Sequence, residues 1–157
     1  DLGVAAADKV FDCNGLTILP GVIDSQVHFR EPGVEQKEDL QTGTLAAVLG
    51  GVTGVFEMPN TAPPTTDASA IADKLTRAAG RAWCNYAFYV GATAENAENL
   101  EELERLPGCA GVKIFMGSST GGLLVPDEDT LRRVLQSGSR RVAVHSEDEE
   151  ILNINKK

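Results

Sequence analysis

Residues 19–33, LPGVIDSQVHFREPG, join a short apolar segment to a run of polar side chains and a turn. Side chains alternate between the two faces of a β-strand, so four polar residues are predicted to share one face: Asp24, Gln26, His28 and Arg30. The Glu-Pro-Gly that follows cannot continue a strand ladder, because proline has no N–H group to donate. Parallel α/β folds build active sites at the carboxyl ends of strands. This stretch therefore predicts a strand that carries part of an active site.

Strands and helices alternate after this stretch. Further apolar strands are predicted over residues 52–58, 83–90, 110–116 and 141–145. The segments between them have apolar residues at helical spacing. Most strands are apolar on both faces, as a parallel sheet requires. The pattern predicts an α/β fold, either part of a (β/α)8 barrel or a complete flavodoxin-like doubly wound sheet. Five strands do not close a barrel, which needs about 250 residues.

Three helix positions are specific enough to test. Thr66 is predicted to cap a helix over residues 67–79, and Asp127 is predicted to cap the fourth helix. The third helix is predicted over residues 96–106, because its leucines repeat at helical spacing.

Residues 1–19 are predicted to form part of a small β-domain. Two short strands joined by a turn at Asn14-Gly15 fit this segment. Because an isolated hairpin is marginally stable in water, we expect further strands upstream of Asp1.

Composition excludes several classes of partner. The chain has 157 residues, a formal net charge of -9 and a pI near 4.7, which argue against nucleic acid and anionic membranes as partners. Its most apolar stretch, residues 45–56, is shorter than the roughly 20 residues of a membrane span. Three widely spaced cysteines indicate reduced thiols, and no targeting segment is evident. We therefore predict a cytoplasmic protein.

Three ionisable residues are candidates for chemistry at the strand ends. His28 and His145 are the two histidines of the chain, and each stands near the end of a predicted strand. Lys113 lies within an apolar strand, where a charged amine is costly to bury unless it is paired or modified. Lys113 could have a purely structural role instead. It would then form an ion pair with Glu57 or Asp24, or its side chain would extend to the end of the sheet and place the amine in solvent.

The glycine-rich segment Gly117–Gly122 follows the Lys113 strand. It lacks the lysine and hydroxyl residue that end a phosphate-binding P-loop, so nucleotide binding is not predicted. Its three glycines would allow close backbone approach to a ligand or movement as a lid.

The stretch 19–33 resembles the opening motif of the cyclic amidohydrolases, and its Arg-Glu-Pro-Gly resembles the dihydroorotases most. The resemblance implies a metal-dependent hydrolase barrel of the TIM type. Residues 20–157 would then be its first five βα units, with both ends of the protein missing. The family motif is Asp-x-His-x-His, and here Gln26 replaces the first histidine. A glutamine amide is a much poorer zinc ligand than an imidazole.

The resemblance also implies roles for individual residues. The metal ligands would be His28, His145 and Lys113, with Lys113 N-carboxylated so that it offers an anionic oxygen to one or two zinc ions. Arg30 and Asn60 would bind the carboxylate of the substrate. The aspartate that shuttles a proton in this family lies on a later strand, so no such catalytic residue is expected in this chain.

The function implied by the resemblance is that of a dihydroorotase. Such an enzyme interconverts N-carbamoyl-L-aspartate and dihydroorotate in pyrimidine biosynthesis with a metal-activated hydroxide. One alternative is a non-catalytic dihydroorotase-like assembly domain, for which Gln26 is the argument. The other is a cyclic amidase of the hydantoinase or dihydropyrimidinase type, which does not need a carboxylate clamp. The resemblance further implies a small anionic substrate, a homo-oligomer and a possible transcarbamoylase partner.

Overall fold

Five parallel strands form one sheet in the computed structural model, which describes residues 7–117 and 122–156. The strands are β1 (Val22–Val27), β2 (Val52–Glu57), β3 (Asn85–Gly91), β4 (Cys109–Phe115) and β5 (Val142–His145). Their order in the sheet is β1-β2-β3-β4-β5, so each strand pairs with the next one in the chain. A flavodoxin-like sheet has the order 2-1-3-4-5. The sheet is therefore a partial TIM-type barrel, as predicted, and the flavodoxin-like alternative is wrong.

Helices follow the strands in the described part of the chain. They are α1 (Leu40–Leu49), α2 (Ala68–Ala78), α3 (Leu100–Leu103), α4 (Glu128–Ser137) and α5 (Glu149–Asn155). The side chains of Asp39, Asp67, Asp127 and Asp148 accept the N–H groups that open α1, α2, α4 and α5. The predicted cap at Asp127 is confirmed.

Two helix predictions were wrong in detail. The cap of α2 is Asp67 and not Thr66, because the Asp67 carboxylate accepts the Ala70 N–H at 2.8 Å. The third helix is much shorter than residues 96–106. A 3-10 turn, Ala97–Asn99, leads into a single α-helical turn, and Leu106 and Gly108 belong to the connection that follows.

Apolar clusters show which face of the sheet the helices cover. One cluster joins Leu40, Ile71 and Ala78 of α1 and α2 to Val55 and Phe88 of the sheet. A second joins Leu100 and Val134 of α3 and α4 to Val90, Val112 and Ile114. A third cluster is built from strand residues and Met58 directly after β2: Met58, Tyr89 and Ala110, with Phe56, Ala87 and Ala143 packed against them. This third cluster marks the face that the described helices leave uncovered.

A buried ion pair lies on the helix-covered face. Lys74 of α2 donates to the Glu57 carboxylate at 2.9 Å, and both side chains are 1% exposed. The same amine donates to the carbonyl of Met58 at 3.4 Å and lies over the Phe88 ring. Burial raises the pKa of Glu57 to about 7 and lowers the pKa of Lys74, although each group favours the charge of the other. The pair fixes the end of β2 against α2.

The predicted N-terminal hairpin is wrong within the described residues. Asn14-Gly15 does form a turn, in which the Leu16 N–H donates to the Cys13 carbonyl, but no strand forms between residues 7 and 21. The large apolar side chains on both sides of this turn are exposed, including Phe11 and Ile18. A two-stranded ribbon without a covered face has too little buried surface to be stable. The assignment of residues 1–19 to a small β-domain stays a prediction. None of the described helices is long and apolar enough to cross a membrane.

Candidate active site

All five residues predicted from the sequence stand at one edge of the sheet. His28 and Arg30 follow the end of β1, Asn60 follows the end of β2, Lys113 lies two residues before the end of β4, and His145 is the last residue of β5. The carboxyl ends of parallel strands point the same way, so these residues share one rim. The positions of Asn60, Lys113 and His145 relative to their strands agree with the sequence prediction, whereas His28 and Arg30 lie beyond the end of β1 rather than on it.

The pairing of β1 is less regular than strict alternation requires. Asp24 pairs with Val55 and Val27 pairs with Glu57. Between these two pairs β1 therefore contains one residue more than β2, which is a β-bulge. The prediction that Asp24, Gln26, His28 and Arg30 share one face of a regular strand is therefore wrong. Gln26 is exposed, and its N–H donates to the Asp24 carboxylate at 3.0 Å.

A hydrogen bond at the rim joins His28 to Asn60. His28 Nδ1 lies 2.9 Å from Asn60 Oδ1. An amide oxygen can only accept, so Nδ1 carries the proton and the lone pair of the neutral ring is on Nε2. Burial lowers the pKa of His28, and the positive charges of Arg30 and Lys113 act in the same direction. Asn60 therefore holds His28 in the form that offers Nε2 to a metal ion.

Lys113 is a buried cation on the uncovered face of the sheet. It pairs in register with Gly91, two residues beyond Tyr89, so its side chain lies on the same face as the third apolar cluster. The residue is 2% exposed, and burial lowers the pKa of its amine. Its Nζ lies 4.8 Å from the centre of the Phe115 ring. Among the described residues, no carboxylate or carbonyl accepts a hydrogen bond from this amine.

Neither of the two carboxylates predicted as ion-pair partners of Lys113 pairs with it in the described residues. Glu57 lies on the opposite, helix-covered face and is paired with Lys74. Asp24 instead accepts the N–H of Gln26. The Lys113 residue as a whole is 2% exposed.

His145 completes the rim beside Phe115. The two rings are 6.1 Å apart between centroids, because His145 pairs with Phe115 across β4 and β5. His145 Nε2 lies 2.6 Å from Glu147 Oε2. Sequence reasoning missed Glu147. Its spacing of two residues from His145 after a strand end was the available signal.

Arg30 offers an unpaired positive charge to the rim. It is half-buried, and no described carboxylate lies within ion-pair distance of its guanidinium. The guanidinium fork suits a planar carboxylate bound by two parallel hydrogen bonds.

The donor set fits a divalent metal only if Lys113 takes part. Among the described residues, no three His, Cys, Asp or Glu side chains converge on a possible metal position. His28 and His145 carry imidazoles at this rim, and a carbamate on the Lys113 amine would add an anionic oxygen. Of the Gly117–Gly122 segment, residues 118–121 lie outside the described residues, so its predicted role as a lid or close-approach loop stays a prediction.

We expect two substitutions of Asn60 to separate its effects. Asn60→Ala removes the partner of His28 Nδ1 and should weaken zinc binding about 10- to 100-fold, as loss of such a supporting contact generally does. Asn60→Asp keeps an oxygen acceptor and should retain zinc, but its charge should repel an anionic substrate. Zinc affinity is measured by chelator competition, and Asn99→Ala, at an exposed position, is the control. Equal loss of zinc in both Asn60 variants would contradict the assigned tautomer.

Comparisons with known proteins agree with this geometry. A family model described as dihydro-orotase-like matches residues 15–120. The dihydroorotase of Methanosarcina mazei is 41% identical over 154 residues, which cover 96% of this chain and 33% of that protein. The allantoinase of Saccharomyces cerevisiae is 45% identical over 102 residues, which cover 64% of this chain and 21% of that protein.

The fold agrees with a solved structure as well. L-hydantoinase from Arthrobacter aurescens superposes with a TM-score of 0.86 at 27% identity, covering 98% of this chain and 35% of that one. The chain thus spans about a third of the length of the dihydroorotase and the hydantoinase that it matches. Since the family model and the dihydroorotase both match most of the chain, the chain belongs to the dihydro-orotase-like family.

Proposed function

We propose that the protein carrying this chain is a zinc-dependent dihydroorotase. The observation that carries the proposal is the buried amine of Lys113, which has no anionic partner among the described residues and lies close enough to His28 to lower the pKa of that imidazole. A buried amine with a lowered pKa has a larger neutral fraction, which is the form that adds CO2. The resulting carbamate would hold zinc together with His28 and His145.

Other residues of this chain have separate proposed roles in binding zinc and the substrate. Zinc bound there would supply an activated water and polarise the ring carbonyl of the substrate. Asn60 holds the His28 tautomer through its Oδ1 and can direct its amide N–H groups toward a substrate carboxylate. Arg30 contributes the fork that binds the same carboxylate. The Phe115 ring contacts both the Lys113 amine and the His145 ring.

Zinc content and dihydroorotate hydrolysis, measured on the same sample of the full-length protein, test this proposal. We expect the wild type to bind at least one zinc ion and to turn over dihydroorotate. Gln26→His adds an imidazole at an exposed position two residues before His28 and should bind zinc more tightly. A wild type that is free of zinc and inert, with zinc gained by Gln26→His, would instead support the non-catalytic assembly domain and an interaction with a partner such as a transcarbamoylase.

A hydantoinase-type activity is the second candidate, and the close superposition on L-hydantoinase favours it. The two enzymes differ in the charge of their substrates. Arg30, without a described ion-pair partner, favours a substrate that carries a carboxylate. Faster turnover of a neutral cyclic ureide than of dihydroorotate would decide for the hydantoinase type.

A further inference from the structure

Arg30 stands between two neighbours that are both buried. Phe29 is 6% exposed, and a Cβ atom at Gly43 of α1 would lie 2.5 Å from its ring, so the ring packs directly on this helix. Glu31, on the other side, is 3% exposed. The backbone of Arg30 is thus anchored on both sides while its own side chain is half-buried.

The Glu31 carboxylate connects the loop after β1 to two helices. Its Oε2 accepts the N–H of Leu40, the first residue of α1, at 3.0 Å. Arg81, which follows α2, donates to Oε1 at 2.6 Å and to Oε2 at 3.2 Å. Paired hydrogen bonds between a guanidinium and a carboxylate are among the strongest and most directional in proteins. A negative charge at the start of a helix is favourable as well.

The neighbouring loop is tied to the same segment. The N–H of Ala62 donates to the carbonyl of Pro32 at 3.0 Å, and a Cβ atom at Gly33 would clash with the carbonyl oxygen of Ala62. The loop that carries Arg30 therefore packs closely on the loop that carries Asn60. A shift of Glu31 would move both groups that face the substrate carboxylate.

We propose that the Glu31–Arg81 pair is a positioning device that aims Arg30 and so sets the preference for a substrate carboxylate. The proposal rests on the proposed function. Among the described residues Arg30 has no ion-pair partner that would fix its guanidinium, so its direction depends on how the backbone on either side is held. Displacement of a binding group by about 1 Å is enough to cost much of its effect on a reaction. Glu31 itself is a positioning residue, because its carboxylate faces the helices.

Charge and geometry can be changed separately in this pair. Glu31→Gln keeps a side-chain oxygen for the Leu40 N–H but leaves Arg81 without its counter-charge. Arg81→Lys keeps the charge but loses the two-pronged contact. The double variant Glu31→Gln/Arg81→Gln removes both charges, so neither remains unpaired. Glu101→Gln and Arg105→Lys are matched controls, since these residues form an exposed pair at 3.0 Å on α3 and the turn after it.

Two ligands distinguish positioning from a general loss of structure. We expect Glu31→Gln and Arg81→Lys to raise KM for dihydroorotate about tenfold while kcat stays within about threefold. Binding is also measured by calorimetry with dihydroorotate and with uncharged dihydrouracil. Only the affinity for the charged ring should fall in the two single variants and in the double variant, and both controls should match the wild type.

Equal losses for the charged and the uncharged ring would overturn the proposal, as would unchanged dihydroorotate affinity in all three variants. The proposed function can fail separately. If the wild type binds dihydroorotate without turning it over, the enzyme assignment fails, and a selective loss of binding in the variants still supports the positioning role. A wild type that binds no dihydroorotate would overturn both.

Discussion

Replacing Lys113 with methionine is expected to abolish zinc binding and dihydroorotate turnover while making the metal-free protein more stable. Methionine keeps the length and the contact with the Phe115 ring but removes the buried amine. An unpaired buried polar group costs about 1–3 kcal/mol, so its removal should raise the free energy of unfolding by about this amount. Loss of function combined with gain of stability is typical of a residue retained for chemistry.

Zinc analysis, steady-state turnover and urea unfolding of the metal-free protein check this prediction. Lys37→Met, at an exposed lysine, is the control and should change none of the three. In the wild type, labelled bicarbonate should give a carbamate signal in carbon NMR that is absent from Lys113→Met. Full zinc binding by Lys113→Met would contradict the ligand assignment. Loss of stability in this variant would mean that Lys113 has a structural partner.

The second large effect concerns the ion pair between β2 and α2. Lys74→Met leaves the Glu57 carboxyl buried without its partner, and breaking such a pair typically costs about 3–5 kcal/mol. The double variant Lys74→Met/Glu57→Gln removes both charges and should recover most of this loss. Urea unfolding measures each variant, and Arg105→Met at an exposed ion pair should cost less than about 1 kcal/mol.

The loss in Lys74→Met should depend on pH in a defined direction. Burial raises the pKa of Glu57 from its ordinary 4.5 to about 7 even beside Lys74, so the folded protein holds this proton more tightly than the unfolded chain does. Stability from such a group is present below pH 4.5 and is lost as pH rises toward 7. Without Lys74 the carboxyl is still harder to ionise, so the difference between variant and wild type should grow from pH 5 to pH 8. A loss that is constant with pH, or a double variant as unstable as the single one, would contradict the buried pair.

The sequence predicted the fold, and it predicted which ionisable residues stand at the carboxyl ends of the strands. Alternating apolar strands and helices predicted the parallel sheet, and ionisable side chains at strand ends predicted the rim that holds His28, Lys113 and His145. The caps were predictable only in part, because Thr66 and Asp67 are adjacent and both types favour the same position. The carboxylate of Asp67 is the one that accepts the helix N–H.

Long-range contacts were beyond what local patterns show. The partner of Glu57 is Lys74, which lies 17 residues further along the chain on α2. Lys74 belongs to the buried side of this helix, where the other buried residues are apolar. Glu31 looked like part of a turn, yet it binds Arg81, 50 residues later. The irregular pairing of β1 also left no signal in its residue pattern. These features arise from tertiary packing, which overrides the local preferences that sequence patterns express.

The strand order β1-β2-β3-β4-β5 has a consequence for how the chain folds. Each of the four pairings among the described strands joins a strand to the one that lies about one βα unit further along the chain. Domains acquire structure from the N-terminus during synthesis. The sheet can therefore grow strand by strand as the ribosome releases the chain, and the rim gains His28, Asn60, Lys113 and His145 in that order.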